Sequence, residues 1–149
     1  MSVRSIPLLL IVLILYFAVV YSGSLLGAEG APGPGSAGGI LRDVLFTIPM
    51  LNNADGWAFS WGDLIILILL VLLFVEILKA TYTSSVAMVD HGLSMLVFVV
   101  ALVCFLMVGA AQTSVFFFIV VAAIIDVIAG YTIGIRVARR DIGFGGMGE

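Results

Sequence analysis

Two acidic residues stand where carboxylates are costly. Glu76 lies in LIILILLVLLFVEILKA, residues 64–80, and Asp126 in SVFFFIVVAAIIDVIAGYTIGI, residues 114–135. An ionised carboxylate in such a run turns toward a bundle interior or water, pairs with a cation, or takes up a proton. Glu76 comes thirteen residues after Asp63, about 20 Å along a helix, and Asp126 twelve residues after Ser114, about 18 Å. If both helices start from one side, the two groups reach the same depth. Touching helices would then let them share a proton or hold a cation, because two close like charges do not both stay ionised cheaply.

Glu76 also has a plainer explanation. Lys79 follows three residues later on the same helical face, which predicts a structural ion pair or an interfacial anchor reaching the headgroups. Asp126 has no such neighbour in its own helix, since Arg136 is ten residues and about 15 Å away. Ala122, Asp126, Gly130 and Gly134 recur every four residues. Small residues at that spacing admit a second helix closely, and Gly130 with Gly134 forms a GxxxG pair. This face predicts that Asp126 points into a helix interface, as polar glue or as part of an ion or proton path.

The remaining chemistry is sparse. Asp90 fits the N-terminal end of the third apolar segment, where its charge complements the helix dipole. His91 beside it is a candidate proton donor at the mouth of a path, although a lone loop histidine is ordinarily just solvated. No His/Cys cluster supplies the three or four ligands of a metal site. The single cysteine, Cys104, stands in an apolar run, cannot form an internal disulfide, and reads as a small packing residue. Ser84 and Ser85 lack a GxSxG elbow and a placed base. Gly38 and Gly39 belong to a linker rather than a phosphate loop, and the tyrosines and phenylalanines of the spans read as packing or lipid-facing. The expectation is no enzyme, no catalytic residue and no cofactor.

These residues are positioned by an unusually apolar chain. Of 149 residues, 63% are hydrophobic and 10% charged, with a mean hydropathy of +1.32. A soluble domain carries about 25% charged residues. So little polar surface cannot cover a water-facing globule, and lipid is the expected solvent. The net charge of −3 brings no basic stripe, so nucleic acid is not an expected partner.

The pattern predicts an all-α integral membrane protein with four transmembrane helices at 6–22, 62–82, 92–110 and 114–135. The first apolar run competes with a signal peptide, but it is long for one, and Ala28 with Leu26 before it makes a poor cleavage site. In the extracytoplasmic loop 23–61, residues 23–39 read as a flexible Gly/Pro/Ser linker. The apolar positions Ile40, Leu41, Val44, Leu45 and Ile48 then predict a short interfacial helix ending near Pro49. Asn52, Asn53, Asp55 and Gly56 make a turn, and Trp57 and Trp61 anchor at headgroup level. A polar cytoplasmic loop, 83–91, leads to the third span. Residues 111–113 are so few that the last two helices must be antiparallel neighbours. The tail, 136–149, ends in seven residues expected to be mobile.

Basic residues set the orientation. With the N-terminus in the cytoplasm, that side holds Arg4, Lys79, Arg136, Arg139 and Arg140, against Arg42 alone outside. Both termini are therefore expected to be cytoplasmic, in a bacterial inner membrane. Nothing suggests an inverted-repeat transporter. The expected role is an accessory or assembly subunit working through helix packing, as a homo-oligomer or with other membrane subunits. The alternative is a proton- or cation-handling transporter or channel subunit using Asp126 and Glu76.

Overall fold

The computed structural model describes residues 7–25, 34–81 and 85–144. Arg4, Ser84 and the last five residues of the tail lie outside them, as do the side chains of Ser85, Asp90, His91, Arg136, Arg139 and Arg140. The described residues form five α-helices and one two-stranded sheet: α1 (Leu8–Leu25), α2 (Pro34–Arg42), β1 (Val44–Met50), β2 (Asn53–Ser60), α3 (Trp61–Ala80), α4 (Ser85–Met107) and α5 (Ser114–Phe144). A single 3₁₀ turn, Gly109–Ala111, lies between α4 and α5.

Local chemistry sets the helix ends. Pro7 precedes α1 and its carbonyl accepts the Leu10 N–H at 3.1 Å, a place where a proline costs no helical hydrogen bond. Ser60 caps α3 in a reciprocal box. Its hydroxyl accepts the Asp63 N–H at 3.3 Å, and Asp63 Oδ2 accepts the Ser60 N–H at 2.9 Å. Two orphan donors are satisfied at once, with the acidic side chain at the positive end of the helix. At the other end, the Thr81 hydroxyl donates to Leu78 O at 2.7 Å.

The helices pack with α5 against both α3 and α4, and α1 against α3. Sequence hydropathy is nearly uniform around each helix, yet burial is strongly one-sided. The inner stripe of α3 is Gly62, Ile65, Leu69 and Glu76, at the three- and four-residue spacing of one helical face. That of α4 includes Ser94, Val97 and Ala101, and that of α5 includes Phe116, Ile119, Ala122, Ala123 and Asp126. Outside stand Leu70, Phe74, Leu96, Leu106, Phe117 and Ile128, among many other large apolar side chains. Large apolar side chains thus stand on both sides, buried inside and exposed outside, and a water-soluble monomer rarely shows contiguous apolar surface on that scale. Two helices, Trp61–Ala80 and Ser114–Ile135, are long and apolar enough to cross a membrane, with mean hydropathies of 2.6 and 2.4. Leu8–Ser22 and Gly92–Met107 are apolar but shorter.

Four features depart from the sequence expectation. The fold is not all-α, because 44–60 is an antiparallel hairpin rather than part of an interfacial helix. Val44, Phe46, Thr47 and Ile48 are β-branched or aromatic and suit a strand, and a short apolar run does not reveal its period. Leu51 and Asn52 make the turn, and Gly56 relieves a register irregularity with φ of +72°. Second, a helix does form in this loop, but earlier, at 34–42, within the stretch read as linker. Pro34 opens it in the position a helix tolerates best, and Ala37 and Leu41, one turn apart, are buried. Residues 26–33 of that linker lie outside the described ones. Third, α4 starts at Ser85, inside the segment 83–91 read as a loop, since polar residues without a proline do not stop a helix. Fourth, α5 runs nine residues past Ile135 to Phe144, because Arg and Ala in RVARR favour helix as well as the apolar part does.

A methyl group at Gly56 would sit 2.7 Å from Ile48 O, in a backbone conformation that side chains rarely adopt. Gly56→Ala is therefore expected to destabilise the hairpin by about 1–2 kcal/mol or more. Hydrogen exchange should speed up across β1 and β2 and stay unchanged in α3 and α5. Uniform exchange across all of them would contradict this placement of strain.

Candidate functional site

Glu76 and Asp126 stand on the packed pair α3 and α5. Both are buried, at 3% and 4% exposure, and the two carboxylates interact electrostatically. Their surroundings differ. Glu76 Oε1 pairs with Lys79 Nζ at 3.2 Å, one helical turn on. Its Oε2 accepts the backbone N–H of Leu8 at 2.9 Å. Leu8 is the first residue of α1, so Glu76 supplies from another helix the acceptor that an N-cap normally supplies, and its charge faces the positive end of α1. Nothing in sequence pointed to this contact, because its partners are 68 residues apart and one of them is a backbone amide.

Asp126 shares its stripe with Ala122 and Gly130, both buried, and with Gly134, half-buried. The small residues are thus largely covered within this one chain. Asp126 is engaged by its surroundings, while its Oδ2 is buried and receives no hydrogen bond from the described residues. His91 belongs to α4 by its backbone, and its side chain lies outside the described residues, as do those of Arg136, Arg139 and Arg140. Among the described residues, no three His, Cys, Asp or Glu come together as metal ligands. Cys104 is a half-buried free thiol.

A second polar constellation corrects the reading of the span aromatics as simple packing residues. Tyr16 is fully buried. Its hydroxyl donates to Ala110 O at 2.7 Å and lies 2.7 Å from Thr113 Oγ1. A tyrosine has one hydroxyl hydrogen. With that hydrogen on the carbonyl, Thr113 must donate to Tyr16, and its own oxygen accepts the Phe116 N–H at 3.2 Å. One chain of bonds thus caps α5, ties down the α4–α5 turn and anchors α1. Phe116 and Phe17 pack edge-on or tilted around the ring. A tyrosine in the middle of the first apolar run is the only sequence signal, and it does not name its partners.

At the same end, a cavity of about 330 Å³ opens between α2 and the starts of α3 and α5, with Arg42, Ser60, Asp63, Gln112 and Ser114 on its wall. Trp61 is half-buried at the head of α3, and Trp57 is exposed on β2. The chain matches no family model, and neither a curated protein nor a solved structure is found to be similar to it.

Lys79 is the ion-pair partner of the buried Glu76. Lys79→Met is expected to destabilise the protein by about 3 kcal/mol, since it leaves buried negative charge unmatched. Adding Asp126→Asn should restore a good part of that loss by removing the neighbouring like charge. Thermal unfolding of the single and double variants in detergent is the measurement. Strictly additive effects would mean that the two groups are not coupled.

Proposed function

We propose that this chain is a four-span integral membrane protein, with α1, α3, α4 and α5 as the spans, that serves as an accessory or assembly subunit of a membrane complex. The observation that carries the reading is the large apolar outer surface, with Leu70, Phe74, Leu96, Leu106 and Ile128 exposed around an interior that holds Glu76, Ser94 and Asp126 beside Ile65, Leu69 and Phe116. In lipid, exposed bulky side chains are met by acyl chains, and buried polar groups such as Glu76 and Asp126 add directional contacts between helices. The basic residues at 4, 79, 136, 139 and 140 put both termini in the cytoplasm, and the charge bias fits a bacterial inner membrane. Glu76, held by Lys79 and by the start of α1, supports a structural role for the ionic cluster.

The stripe at Ala122, Gly130 and Gly134 holds this chain's own helices, so contact with a partner falls on the outward faces. Native mass measurement after extraction into nanodiscs is expected to give a species heavier than the 15.8 kDa chain. A monomer alone, at native expression, would remove the subunit reading. Reporter fusions at each end should both report the cytoplasm.

One observation favours a second reading, proton or cation handling: two buried carboxylates, Glu76 and Asp126, interact electrostatically on packed helices. Reconstituted in proteoliposomes, a handler would lose its proton or cation flux in Asp126→Asn. A subunit with a structural cluster would show the same flux before and after the substitution.

A further inference from the structure

The hairpin of β1 and β2 is apolar on a scale that water does not tolerate. Val44, Leu45, Phe46, Ile48 and Met50 are each between 37% and 55% exposed, Trp57 is 46% exposed, and Leu51 at the turn is entirely so. Every residue of β1 is exposed. From Val44 to Ser60 the one charged residue is Asp55. A sheet lying on a core alternates buried and solvated positions, and this one does not. Phe46 stacks on Phe59 at 4.8 Å and Trp57 meets Phe59 edge-on, which puts these rings on one face with Ile48, the cross-strand neighbour of Trp57. Thr47 and Ala58, paired with each other, take the opposite face.

The hairpin is rooted at both ends on the start of α3. Ser60, the last residue of β2, is the N-cap of that helix. Asp43, just before β1, accepts the Trp61 N–H at 3.2 Å. On the four-span reading, the 20 residues of α3 cover about 30 Å of hydrocarbon, so this root stands at the outer membrane boundary. A strand of seven residues reaches about 23 Å, whereas the headgroup layer on one side is only about 5–8 Å deep. Upright, the hairpin would carry Met50 and Leu51 through that layer into water. Driven into the acyl region, it would take two unpaired sheet edges where no water satisfies them. Lying flat meets both constraints: rings and aliphatic chains touch the acyl boundary, and edge N–H and C=O groups keep hydrated headgroups.

We propose that the β1–β2 hairpin is a membrane-docking arm that lies along the outer headgroup layer of the bilayer, with Phe46, Leu51 and Trp57 as its lipid contacts. A second protein would cover one face of the sheet, whereas the interfacial layer receives side chains from both. Pro49 also interrupts the donor row along β1, which disfavours strand pairing with another copy.

The proposal rests on the membrane-spanning reading, and the two fail separately. Full-length chains with a single tryptophan, Trp61→Phe to read Trp57 and Trp57→Phe to read Trp61, are placed in phosphatidylcholine–phosphatidylglycerol vesicles. A quencher attached high on the acyl chain is compared with aqueous iodide. Lipid quenching of both tryptophans, with iodide having little effect, is the expected result. Phe46→Asp with Leu51→Asp should abolish lipid quenching of Trp57 and leave that of Trp61 intact. If Trp61 is quenched from lipid while Trp57 responds only to iodide, the docking arm is wrong and the spanning reading stands. If alkaline washing strips the chain from the vesicles, both fall. A nitroxide at Leu51→Cys, in a Cys104→Ser chain, reports depth without touching either tryptophan. Dipolar coupling between two such labels, with Trp57 shielded from both quenchers, would assign the surface to a second copy and overturn the proposal.

Discussion

A buried carboxylate must be met by donors and positive charge, and Glu76 is met by parts of the chain that are distant in sequence. Its two oxygens take Lys79 and the Leu8 N–H, so one side chain settles the height of α1 against α3. With Leu8 fixed there, Tyr16 stands eight residues along α1, about 12 Å further, and its hydroxyl reaches the α4–α5 turn. The same turn, through Thr113, caps α5, and α5 returns Asp126 to the level of Glu76. The four long helices are thus registered by two polar knots, one at each end of a circuit that otherwise consists of interchangeable apolar contacts. In a bundle where leucine meets leucine on all sides, dispersion alone distinguishes registers poorly. Hydrogen-bonded groups that lose their partners on a one-turn slip distinguish them well.

The sequence carried more of this than its uniform hydropathy suggests. The four-residue stripe was enough to send Asp126 inward, where it is buried. The Lys79 pairing was legible from a spacing of three. What stayed hidden were contacts of two kinds. One is side chain to distant backbone, as in Glu76 to Leu8 and Tyr16 to Ala110, where half the pair has no residue identity to read. The other is the choice of element in short mixed segments. Ile40 to Ile48 carries apolar residues at helical spacing and at strand spacing alike. What decides is the Leu51–Asn52 turn and the positive φ of Gly56, both downstream of the run.

The hairpin end of the molecule shows how closely its elements are pressed. A Cβ at Gly62 would come within 3.0 Å of Leu41 O and 3.1 Å of a Val115 methyl. The first turn of α3 is therefore the meeting place of α2 and α5. Gly62 is one position from Trp61 and two from Ser60, so the residue that admits the neighbours also fixes where the hairpin leaves the bundle. A larger residue there would displace the α2 end and tilt the root of β2 together. The linker length between α1 and α2 matters less, because loop closure entropy changes slowly with length.

Charge accounting around the inner knot bears on what such a site can do. Lys79 offsets one of the two carboxylates, and the start of α1 supplies a partial positive charge of about half a unit. In a region of low dielectric an unmatched charge is costly, so each of these contacts counts. A structural cluster and an ion-handling one share these groups and differ in whether a proton or cation exchanges there. Lys79 is one-quarter exposed, so the knot is not sealed: its countercharge sits at the rim, where a long side chain can keep its ammonium group hydrated. A permanent latch gains nothing from an open rim. An ammonium group in reach of water beside a buried carboxylate is why the second reading stands beside the first.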